Sequence, residues 1–308
     1  MAEKKQVHRN KIKLSMVDRV FDICNVIFFL LFLILIIFPF FNIVAISLTG
    51  NVEYMREPFI IFPKEPTLQS YSYLFGTPLI PRAYGVTLII TISGTLLSTL
   101  VTSMLAYGLC RSNIRGYKFF MIYLLITMFF SGGLIPNYYN MTKTLKLSNN
   151  LLALILPGTV SVFNFIILRS FFRQLPASLE ESARIDGAND VTILFRIIYP
   201  LSIPTLATIA MFVAVGHWNA WFNALLYMRD EKLYPLQLIV RNYVVQEAKP
   251  ADMQNMEGLR DAAGNRIFLN EAGLKMACAV ATAMPMVIIY PFIQKYFEKG
   301  VTIGAVKG

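Results

Sequence analysis

Two stretches of this chain combine residue types that could do chemistry. The first is Leu175–Pro200, where Glu180, Glu181, Ala183, Arg184 and Asp186 lead into Gly187 and Ala188. The second is His217-Trp218-Asn219-Ala-Trp221-Phe-Asn223, with Tyr227 one turn further on. Neither has the make-up of a catalytic site. Acid–base or covalent work needs a nucleophile and base in reach of each other, or carboxylates facing a substrate. The apolar runs hold no Asp or Glu, and His217 is their one group that titrates near neutral pH. What the second stretch offers is non-covalent. Indole faces can stack on a sugar ring, and amides can meet its hydroxyls. The same side chains would also serve as inter-helix hydrogen bonds and interfacial anchors, and the residues leave both readings open. The first stretch offers a shape. Ser178 followed by Glu181 reads as a capping box that opens a helix after Pro176. Gly187 is placed to stop that helix in a left-handed turn. Asn189 or Asp190 can cap a second helix running towards Pro200. Leu179, Ala183 and Ile185 would give the first helix an apolar edge.

The elements that must hold these stretches follow from the distribution of charge. The chain has 308 residues, 56% hydrophobic and 15% charged, against roughly 25% charged in a soluble domain. Mean hydropathy is +0.56. Six runs, 23–48, 83–109, 119–136, 151–168, 197–228 and 276–294, contain no Asp, Glu, Lys or Arg. A charge at the centre of a spanning helix costs about 2.5–3.5 kcal/mol, and about 20 apolar residues cross the hydrocarbon core. The runs therefore predict an all-α polytopic membrane protein with six transmembrane helices, a single transmembrane domain over 1–308. A β-barrel would alternate polar and apolar residues instead. The first run is longer than the apolar core of a signal peptide, and five runs would remain without it.

Six spans place both termini on one side. The segments on that side, 1–22 among them, hold sixteen of the 28 Lys and Arg, and seven of the remaining twelve fall in one long loop. Both termini are therefore expected in the cytoplasm. The basic N-terminal segment is read as an orientation signal meeting anionic lipid, not as a nucleic-acid arm. Cys24, Cys110 and Cys278 form no CxxC pair and imply neither disulfide nor metal site. Of the polar connections, 229–275 is expected outside, as a docking surface or a solvated spacer, and 169–196 inside. Gly132, Gly133 and Pro136 in the third run, and Pro200 and Pro204 in the fifth, would loosen their helices as hinges or as kinks held by packing.

The inner segment carries a resemblance. Glu181-Ser-Ala, Gly187, Ile197 and Pro200 resemble the Glu-Ala-Ala signature of ABC-importer permeases: three residues to the glycine, then nine to the isoleucine. Ser182 stands where alanine is usual and Tyr199 where leucine is usual. The fuller string Glu-Ser-Ala-Arg-Ile-Asp-Gly-Ala resembles the carbohydrate-uptake branch, as does Trp218-Asn219. Phe130-Ser-Gly-Gly-Leu-Ile-Pro136 and the tail Tyr296–Gly308 look like complex-oligosaccharide permeases, similar to the smaller permease of the maltose importer.

The resemblance implies a type I importer permease fold, in the plasma membrane of a bacterium. It implies a coupling helix at 177–190 that enters a cleft of a cytoplasmic ATPase dimer, with Glu180, Glu181, Ala183, Arg184, Asp186, Gly187 and Ala188 at the contact. It also implies a second, homologous permease and a lipid-anchored or periplasmic sugar-binding protein. ATP and Mg would be bound by the partner ATPase, this chain holding no cofactor and catalysing nothing. The chain has no G-x-x-x-x-G-K-[ST] phosphate loop of its own. The tail would pack between ATPase subunits. Competing expectations are an importer permease for a peptide or phosphorylated polyol, a membrane-embedded enzyme, and a secondary transporter with paired broken repeats.

Overall fold

The computed structural model describes residues 15–110, 114–245 and 270–305. The basic residues before Ser15, Arg111, most of the long 229–275 segment and the last three residues lie outside that set. Among the described residues the structure is helical, and one isolated bridge, Thr49 to Pro66, is the sole β pairing.

Helix α1 (Met16–Ser47) opens on a reciprocal cap: Val17 N donates to Ser15 Oγ and Ser15 N to Asp18 Oδ2. Its apolar side chains are exposed along almost the whole length, and burial is confined to Ala45, Ile46 and Ser47. An exposed stripe of Phe, Leu and Ile this long is stable against hydrocarbon or another subunit, not against water. After it come short helices α2 (Asn51–Arg56) and α3 (Gln69–Gly76), then α4 (Leu79–Gly108), the centre of the molecule. Helix α5 (Tyr117–Phe129) starts from Gly116, whose φ of +80° turns the chain sharply.

The third run does not stay straight. It breaks after Phe129, and Gly133 (φ +82°) starts α6 (Leu134–Tyr139) at an angle of 110° to α5. The fourth run departs further from expectation. The helix predicted over 151–168 is two pieces, α7 (Leu152–Ile155) and α8 (Val162–Gln174). Pro157 removes a donor, Gly158 takes φ +86°, and the Ser161 side chain accepts from Asn164 N to start a new helix. Thr102 Oγ1 donates to Thr159 O at 3.2 Å and holds the break against α4.

Beyond α8 lie α9 (Ala177–Ile185) and α10 (Asp190–Ile193), and a π turn at Leu194–Ile198 joins α10 to α11 (Tyr199–Trp218). The fifth run bends by 88° between Asp190–Leu201 and Ile203–Trp218, with the π turn and Pro200 and Pro204 around the bend. It stops at Asn219 rather than running to Met228, and resumes as α12 (Phe222–Tyr227). Then come α13 (Leu236–Val240) and α14 (Glu271–Ala305), the sixth run lengthened at both ends.

Three described helices are long and apolar enough to cross a membrane, Met16–Ser47, Leu79–Gly108 and the Glu271–Pro291 part of α14; counting each bent pair as one span gives five. Helix α4 packs along α11 and α8, and α14 against α1 and α11. Gly94 permits the closest approach: a Cβ there would lie 2.5 Å from Nε2 of His217 on α11. At the loop end of α4, Arg169 Nε donates to Leu109 O at 2.8 Å, and its guanidinium also meets the Tyr117 hydroxyl, tying α4, α5 and α8 together.

Gly94→Val should drive α4 away from His217 and cost about 1–3 kcal/mol, as overpacking does. Thermal unfolding of the detergent-solubilised protein checks this. Adding His217→Ala should restore part of the loss; no restoration would mean that the two helices do not meet there.

Candidate functional site

The segment between α8 and α11 forms an elbow. Helix α9 begins after Pro176, whose fixed φ suits a helix entry. Ser178 is not its cap, contrary to expectation: no side chain caps this end, and Ser178 already lies in the first turn. The proline sets the entry two residues before a Ser178 cap would allow. At the other end Gly187 takes φ +81°. Ala188 N donates to Ala183 O at 2.9 Å and Gly187 N to Arg184 O at 3.1 Å, the paired bonds of a Schellman stop. Asn189 then caps α10, its Oδ1 accepting from Thr192 N at 2.8 Å. The Arg184 guanidinium reaches across the turn to Asp190.

Burial divides the elbow into two faces. Glu180 and Ala183 face inward, 8% and 9% exposed. Glu180, Glu181 and Arg184 line a cavity of about 590 Å³ with Tyr107 and Gly108 of α4. Phe172, Ala183, Ile193 and Leu194 belong to one core with Ala106 and Leu109, so the elbow is seated on the end of α4. The outer face carries Leu179, Ile185 and Val191, exposed by 39%, 87% and 60%. The expected apolar edge of α9 therefore splits: Ala183 packs inward, whereas Leu179 and Ile185 point out. At 100° per residue, Ile185 cannot share the face of Ala183 two positions earlier.

The second stretch is also divided. His217 packs its ring beside Gly94. Trp218, expected on the pathway, is 3% exposed, its Nε1 donates to Thr282 O, and it packs in a core with residues of α4, α13 and α14. An indole at the helix end pointing into the bundle has no other place to go, which sequence spacing could not reveal. Asn219 is exposed, and Trp221 and Asn223 are half-buried. Two residues that sequence reasoning missed join them from α13 and the turn after it. Gln237 Nε2 donates to Asn219 Oδ1 at 3.2 Å, and the Arg241 guanidinium sits 4.4 Å from the Trp221 ring centroid. Their spacing of four, which places both on one side of a helical turn, was the available signal.

Of the proposed hinges, Gly133 and Pro136 lie at one bend, with Gly132 just before it, and Pro200 and Pro204 at the other. The outer segment is anchored by Asn149, whose Oδ1 accepts from Arg229 N and Asp230 N, both at 3.0 Å. Further along, burial and nearby Glu271 push the Tyr243 hydroxyl above its ordinary range, so it stays a neutral phenol. Residues 246–269, which carry most of the expected docking surface, lie outside the described residues. Among the described residues no three His, Cys, Asp or Glu are grouped to hold a metal ion.

The profile of binding-protein-dependent transport system inner membrane components matches residues 1–303. The polygalacturonan/rhamnogalacturonan transport system permease protein YtcP of Bacillus subtilis (strain 168) is 39% identical, over 95% of this chain and all of its own length. Protein LplC of the same organism is 40% identical over all of both chains. Among solved structures, a bacterial ABC transporter involved in import of the acidic polysaccharide alginate superposes with a TM-score of 0.85 at 29% identity. The match covers 92% of this chain and 99% of that one.

Gly187→Val should cost about 1–2 kcal/mol, the penalty of a left-handed residue with a Cβ, and Gly187→Asn clearly less. Comparing the thermal unfolding of the two variants checks it; equal losses would show that the turn conformation is not the cause.

Proposed function

This chain belongs to the binding-protein-dependent transport system inner membrane components, and on that premise we propose that it is one permease subunit of an ATP-driven importer of complex oligosaccharides. It is a transport subunit and not an enzyme. The observation that carries the coupling role is the elbow, a rigid turn seated on α4 whose outer face leaves Ile185 and Leu179 uncovered. A knob of exposed apolar residues flanked by Glu181 and Asp186 is suited to a cleft on a partner. The partner is a cytoplasmic ATPase dimer that binds ATP and Mg. A second homologous permease completes the pathway, and a sugar-binding protein delivers cargo from outside.

The six charge-free runs support six spans, the fourth as a broken one, with both termini in the cytoplasm of a bacterial cell. Coupling is then a population shift. ATP can move the permeases only to the extent that it favours the state with paired elbows drawn together. A soft elbow would dissipate that difference. The Schellman stop, the Asn189 cap and the Arg184–Asp190 pair make this one stiff, and the Arg169 tie passes its displacement to α4, α5 and α8. The bends at Gly133 and at Pro200–Pro204 are where the helices would flex between inward-facing and outward-facing states.

Ile185→Asp leaves the core untouched, because the side chain is outside it. In proteoliposomes holding the whole importer and its binding protein, it should reduce ATP-dependent oligosaccharide uptake and binding-protein-stimulated ATP hydrolysis to background, with membrane insertion unchanged. Wild-type uptake by this variant would refute the coupling role of 177–190.

A further inference from the structure

Resting on that function, we propose that Arg241 and Trp221, with Asn219 and Gln237, form a subsite of this permease that takes an acidic sugar residue by its carboxylate. The four side chains come from two elements that meet at the end of α11 remote from the elbow. Asn219 closes α11, and Trp221 follows in the irregular link to α12. Gln237 and Arg241 lie four residues apart, the first reaching Asn219 at the helix end and the second Trp221 in the link. The result is a two-rung contact: amide to amide at 3.2 Å, then guanidinium over indole at 4.4 Å.

The groups left over on this patch match one kind of ligand. A guanidinium stacked on an aromatic ring spends its face on the ring and keeps its N–H edge for acceptors in its plane. A carboxylate fits that edge with two parallel bonds. Among the described residues no carboxylate lies within ion-pair reach of Arg241, and its one hydrogen-bond partner is Asn242 Oδ1 at 3.5 Å. The half-buried Arg241 guanidinium has no counter-ion among the described residues, and an arriving anion would offset the cost of its burial. Beside it, the Asn219–Gln237 pair uses one donor and one acceptor of the four groups the two amides present, leaving the rest to meet sugar hydroxyls. Trp221 is half-buried and, with the guanidinium over one face of its ring, adds apolar surface beside the amides. A neutral sugar would use the amides and the indole but leave the guanidinium unanswered. The names of two relatives agree, one being a polygalacturonan/rhamnogalacturonan permease and the other an importer of an acidic polysaccharide.

The test compares trigalacturonate with its fully methyl-esterified form, which keeps the ring skeleton and loses the charge. Uptake is measured in proteoliposomes carrying the complete importer, as the ratio of acid to ester. Taking the ratio for each variant against wild type cancels the preference of the binding protein. Arg241→Gln should lower the acid-to-ester ratio about tenfold, the loss of one charge-assisted bidentate contact, while Arg241→Lys, which keeps the charge but not the fork, should lower it by less. If Arg241 were only a staple between α13 and Trp221, both probes would fall together and the ratio would stay, which would overturn the subsite. An importer that accepts only neutral glycans would also overturn it and leave the proposed function standing. Failure to import any glycan would overturn both. Should Arg241→Gln fail to insert, Gln237→Ala with Asn219→Ala must still raise the KM for trigalacturonate; an unchanged KM would count against the site.

Discussion

Hydrocarbon tolerates neither an uncompensated charge nor an unpaired backbone group, and this restriction organises the chain from end to end. All 46 charged residues lie outside the six apolar runs, and the backbone within the runs is overwhelmingly helical because helices satisfy their own N–H and C=O groups. Where the helices do break, at Gly133, at Pro157-Gly158 and at Asn219-Ala220, the freed groups find partners inside the protein. Thr102 donates to the carbonyl of Thr159, Ala220 N donates to the carbonyl of His217, and the Gly133 carbonyl accepts from Asn137 N. Breaks of this kind are tolerated at membrane depth only where protein or a water-filled cavity covers them.

The same restriction explains why the elbow is built differently from the helices it joins. It is polar and lies beyond the apolar runs, so it is free to use charge-assisted and capping bonds that lipid would forbid. Its stiffness comes from local bonds: the turn at Gly187, the Asn189 cap and the Arg184–Asp190 pair. Its connection to the helices comes from burial of Ala183, Ile193 and Leu194 against the end of α4. A displacement of the outer face is thus carried into packed side chains, which resist deformation and move as a unit.

At the opposite end of α11 the packing is looser in kind. Trp218 turns inward and is consumed by the core, while Asn219 and Trp221 stay accessible beside Gln237 and Arg241. One aromatic residue is buried and its neighbour three positions on is half-buried, because the helix ends between them and the face each presents is reset.

Much of this was legible in the residues alone. Charge-free runs marked the apolar segments, Gly187 marked the left-handed stop, and Asn189 marked the second cap, because each depends on local sterics or on solvation that a side chain carries with it. The Glu181…Gly187…Pro200 spacing was sufficient to point to the permease family. Tertiary structure alone decided which side of each element is used. Ala183 goes in and Ile185 out, Trp218 is core, and the break within 151–168, which Pro157 and Gly158 encode locally, is seated against α4 through Thr102. Only the fold brought Gln237 and Arg241 to Asn219 and Trp221, roughly twenty residues away along the chain. Periodicity describes a face but not its partner, and the partner is set by long-range packing whose energy no single segment contains.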